Sequence, residues 1–505
     1  MNGAAKTQDM APIADARHVE RDLFIGGEWV APRSRRHYES IDPYRGLPWA
    51  TAPDADERDV DAAVSAARAA LTGPWGQMTG FQRAKIMRRV GDLIARDAAQ
   101  LAEVESRDSG KLLREMKTQL DYIPEWFYYF AGMADKLQGA TIASDRPNYA
   151  VFTEPVPVGV VAAIVPWNSP LMLLVWKLAP AMAAGCTIVA KPSDQTPIST
   201  LRLARLVHEA GVPGGVFNVV TGEGPGVGKT LVDHPGVDKI AFTGSTQTGK
   251  AIAAAAAQNL TRTSLELGGK SAQLVFADAD VEAAVNGVVA GVFAASGQTC
   301  MAGSRLIAHE DVHDELIQRI IARAARITIG DPLQMASEMG PVNNAAQRDK
   351  ITAMIDEAAT AGARVHMCGN TIPDTGGYFV RPTVVSEVAA DSALFTDEVF
   401  GPVLAVSRFA GEDEATALAN QSVYGLAAGV WTNNVRTAHR VARQLRVGTV
   451  WINAYRVVAP NVPFGGFRHS GLGRENGLEA VLEYTETRAT WIELSGNTRD
   501  PFTIG

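Results

Sequence analysis

The chain predicts an α/β fold of more than one unit: a doubly wound parallel sheet, a second α/β body and a small β arm. Three observations carry this. At 505 residues it is too long for one hydrophobic core. From Val158 onward, strand-like and helix-like runs alternate, as they do in a parallel sheet with crossover helices. A β-rich stretch from Gln138 to Pro157 interrupts the regular pattern and reads as a hairpin leaving the main body.

Taken in order, residues 1–20 read as a flexible leader without the apolar segment of a secretory signal. Leu23 to Val30 reads as a hairpin turning at Gly26-Gly27. From Glu57 to about Phe130 the spacing is helical, with Val60, Ala63, Val64, Ala67 and Leu71 on one apolar face. Strands are then expected at 158–165, 187–190, 216–220 and 239–242, followed in turn by helices at 170–184, 196–210, 226–232 and 246–257. A second unit begins near Gly268, with a strand at 271–276, helices at 281–295 and 312–327, and strands at 379–385 and 403–409. The tail, 489–494, reads as an exposed strand. The resulting division is 1–137 with 158–267, then 268–470, with 138–157 and 485–505 forming the arm.

Composition narrows the class. The chain is 46% hydrophobic with a net charge of −8, which argues against a nucleic-acid binder because phosphate contacts need a basic face. Cys186, Cys300 and Cys368 are far apart, which excludes a zinc knuckle and a disulfide framework; no metal site is assigned, and a reducing, cytoplasmic setting is expected. The uncharged window from Ala283 to Ser304 contains Asn286, Ser296, Gln298 and several glycines. It suits a buried helix and turn rather than a bilayer span, so no membrane partner is expected.

The chemistry centres on Gly297-Gln298-Thr299-Cys300-Met301-Ala302-Gly303. A thiol among small residues leaves room for a reacting carbon, although a lone cysteine also serves as buried core. Asn168, at a strand's carboxyl end between Pro166 and Pro170, either aims an amide at an oxyanion or forms the turn. Lys191 and Asp194 end the next strand and suit a nucleotide ribose, the carboxylate favouring NAD over NADP, or else make a surface pair. Gly224, Gly244 and Ser245 lie in glycine-rich turns at helix starts, where a pyrophosphate can sit. Glu266, between Leu265 and Leu267, is a general-base candidate or a solvent-facing edge residue. Glu398 lies two residues before Phe400, and Glu475 lies in a late glycine-rich loop.

Together these stretches resemble the aldehyde dehydrogenase superfamily, from about Phe24 to Ile492. The motifs are PWN at 166–168, KPSD at 191–194, FTGS at 242–245, LELGGK at 265–270, GQTCMAGSR at 297–305, EVFGPV at 398–403 and PFGG at 463–466. The resemblance implies a Rossmann-type cofactor domain, an α/β catalytic domain and a β oligomerisation arm. It also implies oxidation of a small-molecule aldehyde to the acid with NAD. Cys300 would be the nucleophile and Asn168 with the Cys300 N–H the oxyanion donors. Glu266 would activate water, with Glu475 as a proton relay. Pro166, Trp167, Lys191, Asp194, Gly224, Gly244, Ser245, Leu267, Glu398 and Phe400 would hold the cofactor. Asp194 is shorter than the glutamate many members carry there, which leaves NADP as an alternative.

By the same resemblance the aldehyde tunnel would be lined by Ser169, Leu173, Leu174, Trp176, Ala294, Thr299, Met301, Tyr455, Val458 and Phe464. Ser169, Ala294 and Val458 are smaller than the aromatics of members that take small aldehydes, so a bulkier substrate is expected: aromatic, branched or a semialdehyde. Arg456 near the mouth would favour an anion or simply be solvated. A homodimer or homotetramer is expected, with the 138–157 hairpin pairing with a partner's C-terminal strand. The competing readings are a cofactor-independent thiol esterase and a non-catalytic scaffold.

Overall fold

In the computed structural model the described residues are 18–497 and Phe502. Most of the predicted leader and the last residues of the 485–505 segment lie outside them.

The first large sheet has eight strands. In spatial order they are Gly471–Leu472, Arg262–Glu266, Lys239–Thr243, Val160–Ile164, Thr187–Lys191, Phe217–Val219, Leu23–Ile25 and Glu28–Val30. The five from Arg262–Glu266 to Phe217–Val219 run parallel. Their central members are buried along their whole length, which is why they read as apolar runs rather than alternating ones. The chain winds outward from Val160–Ile164 through Thr187–Lys191 to Phe217–Val219. It then crosses back to lay Lys239–Thr243 on the other side of Val160–Ile164. That reversal opens a crevice at the carboxyl ends of these two strands, the usual ligand position in such sheets. The outer hairpin turns at Gly26 (φ +67°) and Gly27 (φ +91°), two positive values that a tight hairpin of this hand requires.

The second large sheet has seven strands, from Arg364–Met367 through Thr383–Ser386, Val403–Phe409, Arg305–His309, Ala272–Val275 and Ala427–Trp431 to Thr449–Ile452. All its pairs are parallel except the first. The helical stretch resolves into Glu57–Thr72, Gly80–Ser109, Leu113–Tyr122 and Pro124–Met133. Asp56 and Thr79 start the first two with reciprocal side-chain caps, each worth about 1 kcal/mol. Trp75, Trp126, Phe127 and Phe130 are fully buried in the core that joins these helices to Pro170–Ala184.

Several expectations are corrected. The C-terminal strand, Thr485–Glu493, pairs antiparallel with Tyr149–Pro157 of the same chain over nine residue pairs, and so does not wait for a partner's hairpin. Sequence periodicity could not assign the partner, because pairing within a chain and between chains need the same pattern. The helix expected to reach Ala295 ends at Phe293, where the next residues leave helical geometry. The strand expected at 379–385 is Thr383–Ser386, and the short helix after Gly226 starts as a wider turn, Gly224–Gly228, before Lys229–Asp233. A three-stranded sheet of His18–Val19, Leu47–Asp54 and Arg36–Asp42 was not anticipated, nor were helices Ala345–Thr360, Glu412–Asn420 and Val435–Gln444.

Candidate active site

Cys300 sits at the end of a strained approach. Helix Val281–Phe293 stops, and Ala295 (φ +55°) and Ser296 (φ +53°) adopt left-handed backbone, costing on the order of 1–3 kcal/mol each for a side chain with a Cβ. The surroundings impose it. Ala295 N donates to Glu115 Oε1 at 3.1 Å, and Ser296 Oγ donates to the Gly340 carbonyl at 2.8 Å. Gln298 is held twice, its side chain accepting from Asn343 N at 2.8 Å and its carbonyl accepting from Asn168 Nδ2 at 3.0 Å. Past the thiol, the Met301 carbonyl accepts from the Tyr455 hydroxyl at 2.9 Å, and Gly303 N donates to the Gly291 carbonyl at 3.1 Å. Asn168 is thus fixed beside Cys300 with one of its two amide protons used and the other free for a ligand oxygen.

The thiol opens into a cleft of about 180 Å³ at the sheet's reversal point. Pro166, Trp167 and Asn168 form one wall, continuing strand Val160–Ile164; Gly244 and Ser245 follow Lys239–Thr243 on the other. Leu173 of helix Pro170–Ala184, with Leu267, Glu398 and Phe400 from the second half of the chain, completes it. The Trp167 and Phe400 rings meet edge to face at 5.2 Å. Lys191, Asp194 and Gly224 are not in this lining. They cluster one strand over, where Lys191 is 3% exposed and its Cε passes 3.9 Å from where a Cβ on Gly228 would stand. Burial lowers the Lys191 pKa, while Asp194 and Glu223 oppose the shift. The surface-pair reading of Lys191 therefore fails.

Two glycines of the LELGGK motif allow the walls to close. A Cβ at Gly268 would stand 2.3 Å from Glu398 Oε2, and one at Gly269 would stand 2.5 Å from the Cys300 carbonyl. Gly269 N also donates to Glu398 Oε1 at 2.9 Å. Burial raises Glu398 to about 7, against the pull of that bond and of Lys350 and Lys270.

Glu266 ends strand Arg262–Glu266 at 4% exposure, against Gly465, and neither carboxylate oxygen has a hydrogen-bond partner. The solvent-facing alternative is excluded. Burial and then the charge of Glu475 raise its pKa well above the usual range, while Lys177 and Arg474 pull it down. Glu475 is 5% exposed and forms a buried ion pair with Lys177, whose ammonium also donates to Thr243 Oγ1 at 2.6 Å. The Cys300 thiol is pushed up to about 12 by burial, then by Glu398 and Glu266. A thiol among carboxylates stays protonated until a reaction partner changes the local field.

The profile of the aldehyde dehydrogenase family matches residues 29–490. The chain belongs to this family. One relative is the (Z)-2-((N-methylformamido)methylene)-5-hydroxybutyrolactone dehydrogenase of Acinetobacter baylyi, 44% identical over 95% of this chain and 99% of that protein. Another is the phenylacetaldehyde dehydrogenase of Pseudomonas fluorescens, 42% identical over 95% of this chain and 97% of the relative. Among solved structures, the betaine aldehyde dehydrogenase of Staphylococcus aureus in complex with NAD+ matches with a TM-score of 0.94. It is 38% identical, covering 96% of this chain and 97% of its own.

In this aldehyde dehydrogenase the expected tunnel residues divide. Leu173, Leu174, Trp176, Met301, Val458 and Phe464 join Cys300 in or against one apolar cluster. Trp176 stacks on Trp126 at 5.8 Å and meets Phe464 edge to face at 5.4 Å. Thr299 is buried with its hydroxyl unpartnered, and Ala294 caps the broken helix. Tyr455 packs behind the Cys300 turn, and Arg456 donates to the Ala290 carbonyl at 3.1 Å. Ser169 accepts from Lys111 at 2.8 Å.

Sequence reasoning missed Lys177, Lys111, Gln347 and Lys350. Lys177 was detectable: a lone lysine inside the apolar run Leu171–Ala184 must find a buried partner. Gln347 and Lys350 line the cleft from a helix carrying none of the recognised motifs. Among the described residues, no His/Cys/Asp/Glu cluster could hold a metal, and no helix is long and apolar enough to cross a membrane.

Proposed function

We propose that this aldehyde dehydrogenase oxidises an aldehyde to the carboxylic acid through a covalent thioester on Cys300, and that its substrate is bulkier than acetaldehyde. The observation that carries the reading is Asn168 fixed beside Cys300 at the mouth of the cleft, with the buried Glu266 nearby. The cleft suits NAD: a tryptophan and a phenylalanine face it, Glu398 offers a carboxylate for hydroxyls, and Lys191 with Asp194 forms a second polar cluster. NAD, when bound, accepts the hydride. The chain's residues do the rest.

Cys300 adds to the carbonyl carbon. Asn168 Nδ2 and the Cys300 N–H hold the resulting oxyanion, a kind of donor worth about 10²–10³ in rate. Once the carbon is oxidised to a thioester, Glu266 takes a proton from water, which displaces the thiolate and releases the acid. The Glu475–Lys177 pair passes that proton on from the buried base. The small side chains of Ser169, Ala294 and Val458, and relatives named for phenylacetaldehyde and betaine aldehyde, support an aromatic, branched or semialdehyde substrate.

Three further points belong to the same reading. Residues 1–137 with 158–267 form the cofactor domain, 268–470 the catalytic domain, and 138–157 with 485–505 the arm. The arm assembles a homodimer or homotetramer, supported by exposed Phe152, Trp491 and Ile492 and by the unpaired outer edge of Thr485–Glu493. Cys186, Cys300 and Cys368 are free thiols, which suits a cytoplasmic setting.

The test is NADH formation with an aldehyde panel, NAD or NADP, beside Cys300→Ala. Turnover that disappears in the variant supports the reading. Ester hydrolysis without NADH formation would move it to a thiol esterase.

A further inference from the structure

Beside Asn168, outside the residues that line the cleft, lies a buried polar cluster with more hydrogen-bonding capacity than the protein uses. Lys111 is 4% exposed and donates to Ser169 Oγ at 2.8 Å. An ammonium has three protons, so this contact takes one. Ser169 immediately follows Asn168, and its Oγ lies 3.5 Å from Gln119 Oε1. Glu115 spends one oxygen on Ala295 N, in the strained approach to Cys300. Its other oxygen is buried without a partner, as are Gln119 Nε2 and Trp176 Nε1. Burial lowers the Lys111 pKa to about 8, with Glu115 opposing the shift and Arg456 adding to it. Glu105 and Cys300 oppose it more weakly, which puts the cluster within electrostatic reach of Cys300.

Resting on the aldehyde-oxidation reading above, we propose that this cluster binds a hydroxyl group at the far end of the aldehyde substrate. The hydroxyl oxygen accepts from Lys111 and its proton goes to the unused Glu115 oxygen. Buried donors and acceptors without partners are rare in folded proteins, and a ligand that satisfies both signs removes the penalty of leaving them empty. A hydrocarbon end group satisfies neither. A carboxylate suits Lys111 and Arg456 but meets the Glu115 charge and cannot donate to it. Lys111 and Ser169 are then specificity-determining residues, with Ser169 holding the ammonium in place.

The experiment compares kcat/KM for three benzaldehydes that differ only at the para position: ethyl, hydroxymethyl and carboxyl. Ethyl and hydroxymethyl are matched in size, so their ratio isolates the hydroxyl. The expected result is a preference of about tenfold or more for hydroxymethyl over ethyl, the range of a hydrogen bond to a charged group. The ratio should fall close to unity in Lys111→Met and drop in Ser169→Ala. The wild-type comparison stands by itself if Lys111→Met does not fold. Equal rates for the ethyl and hydroxymethyl compounds, or a preference for the carboxyl compound, overturn this inference alone. NADH from none of the three overturns the oxidation reading and this inference with it.

Discussion

Gly269→Ala is the substitution whose effect the geometry defines best. The new Cβ would stand 2.5 Å from the Cys300 carbonyl oxygen and 3.2 Å from Leu426 Cβ. An ordinary contact to the oxygen needs about 3.4 Å, so the shortfall is about 0.9 Å. The methyl cannot retreat, because Leu426 is 1% exposed and packed in the core behind it. The Cys300 turn has to yield instead, although Asn168, Tyr455 and Asn343 hold it. A displacement near 1 Å at a nucleophile costs about 10²-fold. The expected outcome is therefore a fall in kcat/KM for the aldehyde of about two orders of magnitude. Alkylation of Cys300 by iodoacetamide should also change, while NAD affinity moves little except through the Gly269–Glu398 bond. A Gly269→Ala enzyme within threefold of wild type in both turnover and alkylation would refute the argument that this turn is rigid.

Other expectations follow from the carboxylates and the cofactor end. Glu475→Gln removes the charge that raises Glu266 and frees Lys177, both of which lower the Glu266 pKa. The acid limb of the pH–kcat profile should move down, and Lys177→Met should move it up. Because both Glu266 and Cys300 act deprotonated and both are shifted upward, wild-type activity should rise through neutrality into the alkaline range. Glu266→Gln should give a burst of NADH and then stall. Mass spectrometry of the stalled protein should find an acyl group on Cys300, with steady-state turnover reduced by about 10²–10⁴-fold. If Asp194 faces the cofactor ribose as proposed, Asp194→Ser should raise kcat/KM with NADP about tenfold relative to NAD; an unchanged ratio would show that Asp194 does not discriminate.

The parts legible in the sequence were those where local pattern and burial agree. The strands from Val160 to Glu266 read as apolar runs because both faces are covered, and their loops carry short motifs whose residues meet in the cleft. Arg36–Asp42 and Leu47–Asp54 were illegible because they mix polar, proline and aromatic residues without a regular apolar alternation. The helix Val281–Phe293 looked longer because Ala294 and Ala295 are good helix formers. The break comes from Glu115 and Gly340, 180 and 44 residues away in sequence, capturing the following groups. Lys111 was invisible for a related reason: a lysine in a Ser-Gly-Lys turn resembles any solvated loop residue until Ser169 is seen to face it.

The same long-range contacts explain why the nucleophile turn needs so many anchors. Two successive left-handed residues with side chains cost on the order of 2–6 kcal/mol together, a sizeable part of the 5–15 kcal/mol that typically holds a domain folded. A free chain would relax into continued helix and carry Cys300 away from Asn168. The opposing bonds come from separate parts of the chain: Glu115 from the first helical stretch, Gly340 and Asn343 from the loop before Ala345–Thr360, and Tyr455 from beyond Thr449–Ile452. No one anchor has to hold the strain. The consequence is a graded response: loss of Tyr455's hydroxyl in Tyr455→Phe should lower kcat several-fold while leaving the fold intact. Tyr455→Phe combined with Gln298→Met, which removes the acceptor of the Asn343 backbone N–H, would test whether the anchors add. Distant, independent bonds give additive losses, whereas a single cooperative turn gives a loss larger than the sum.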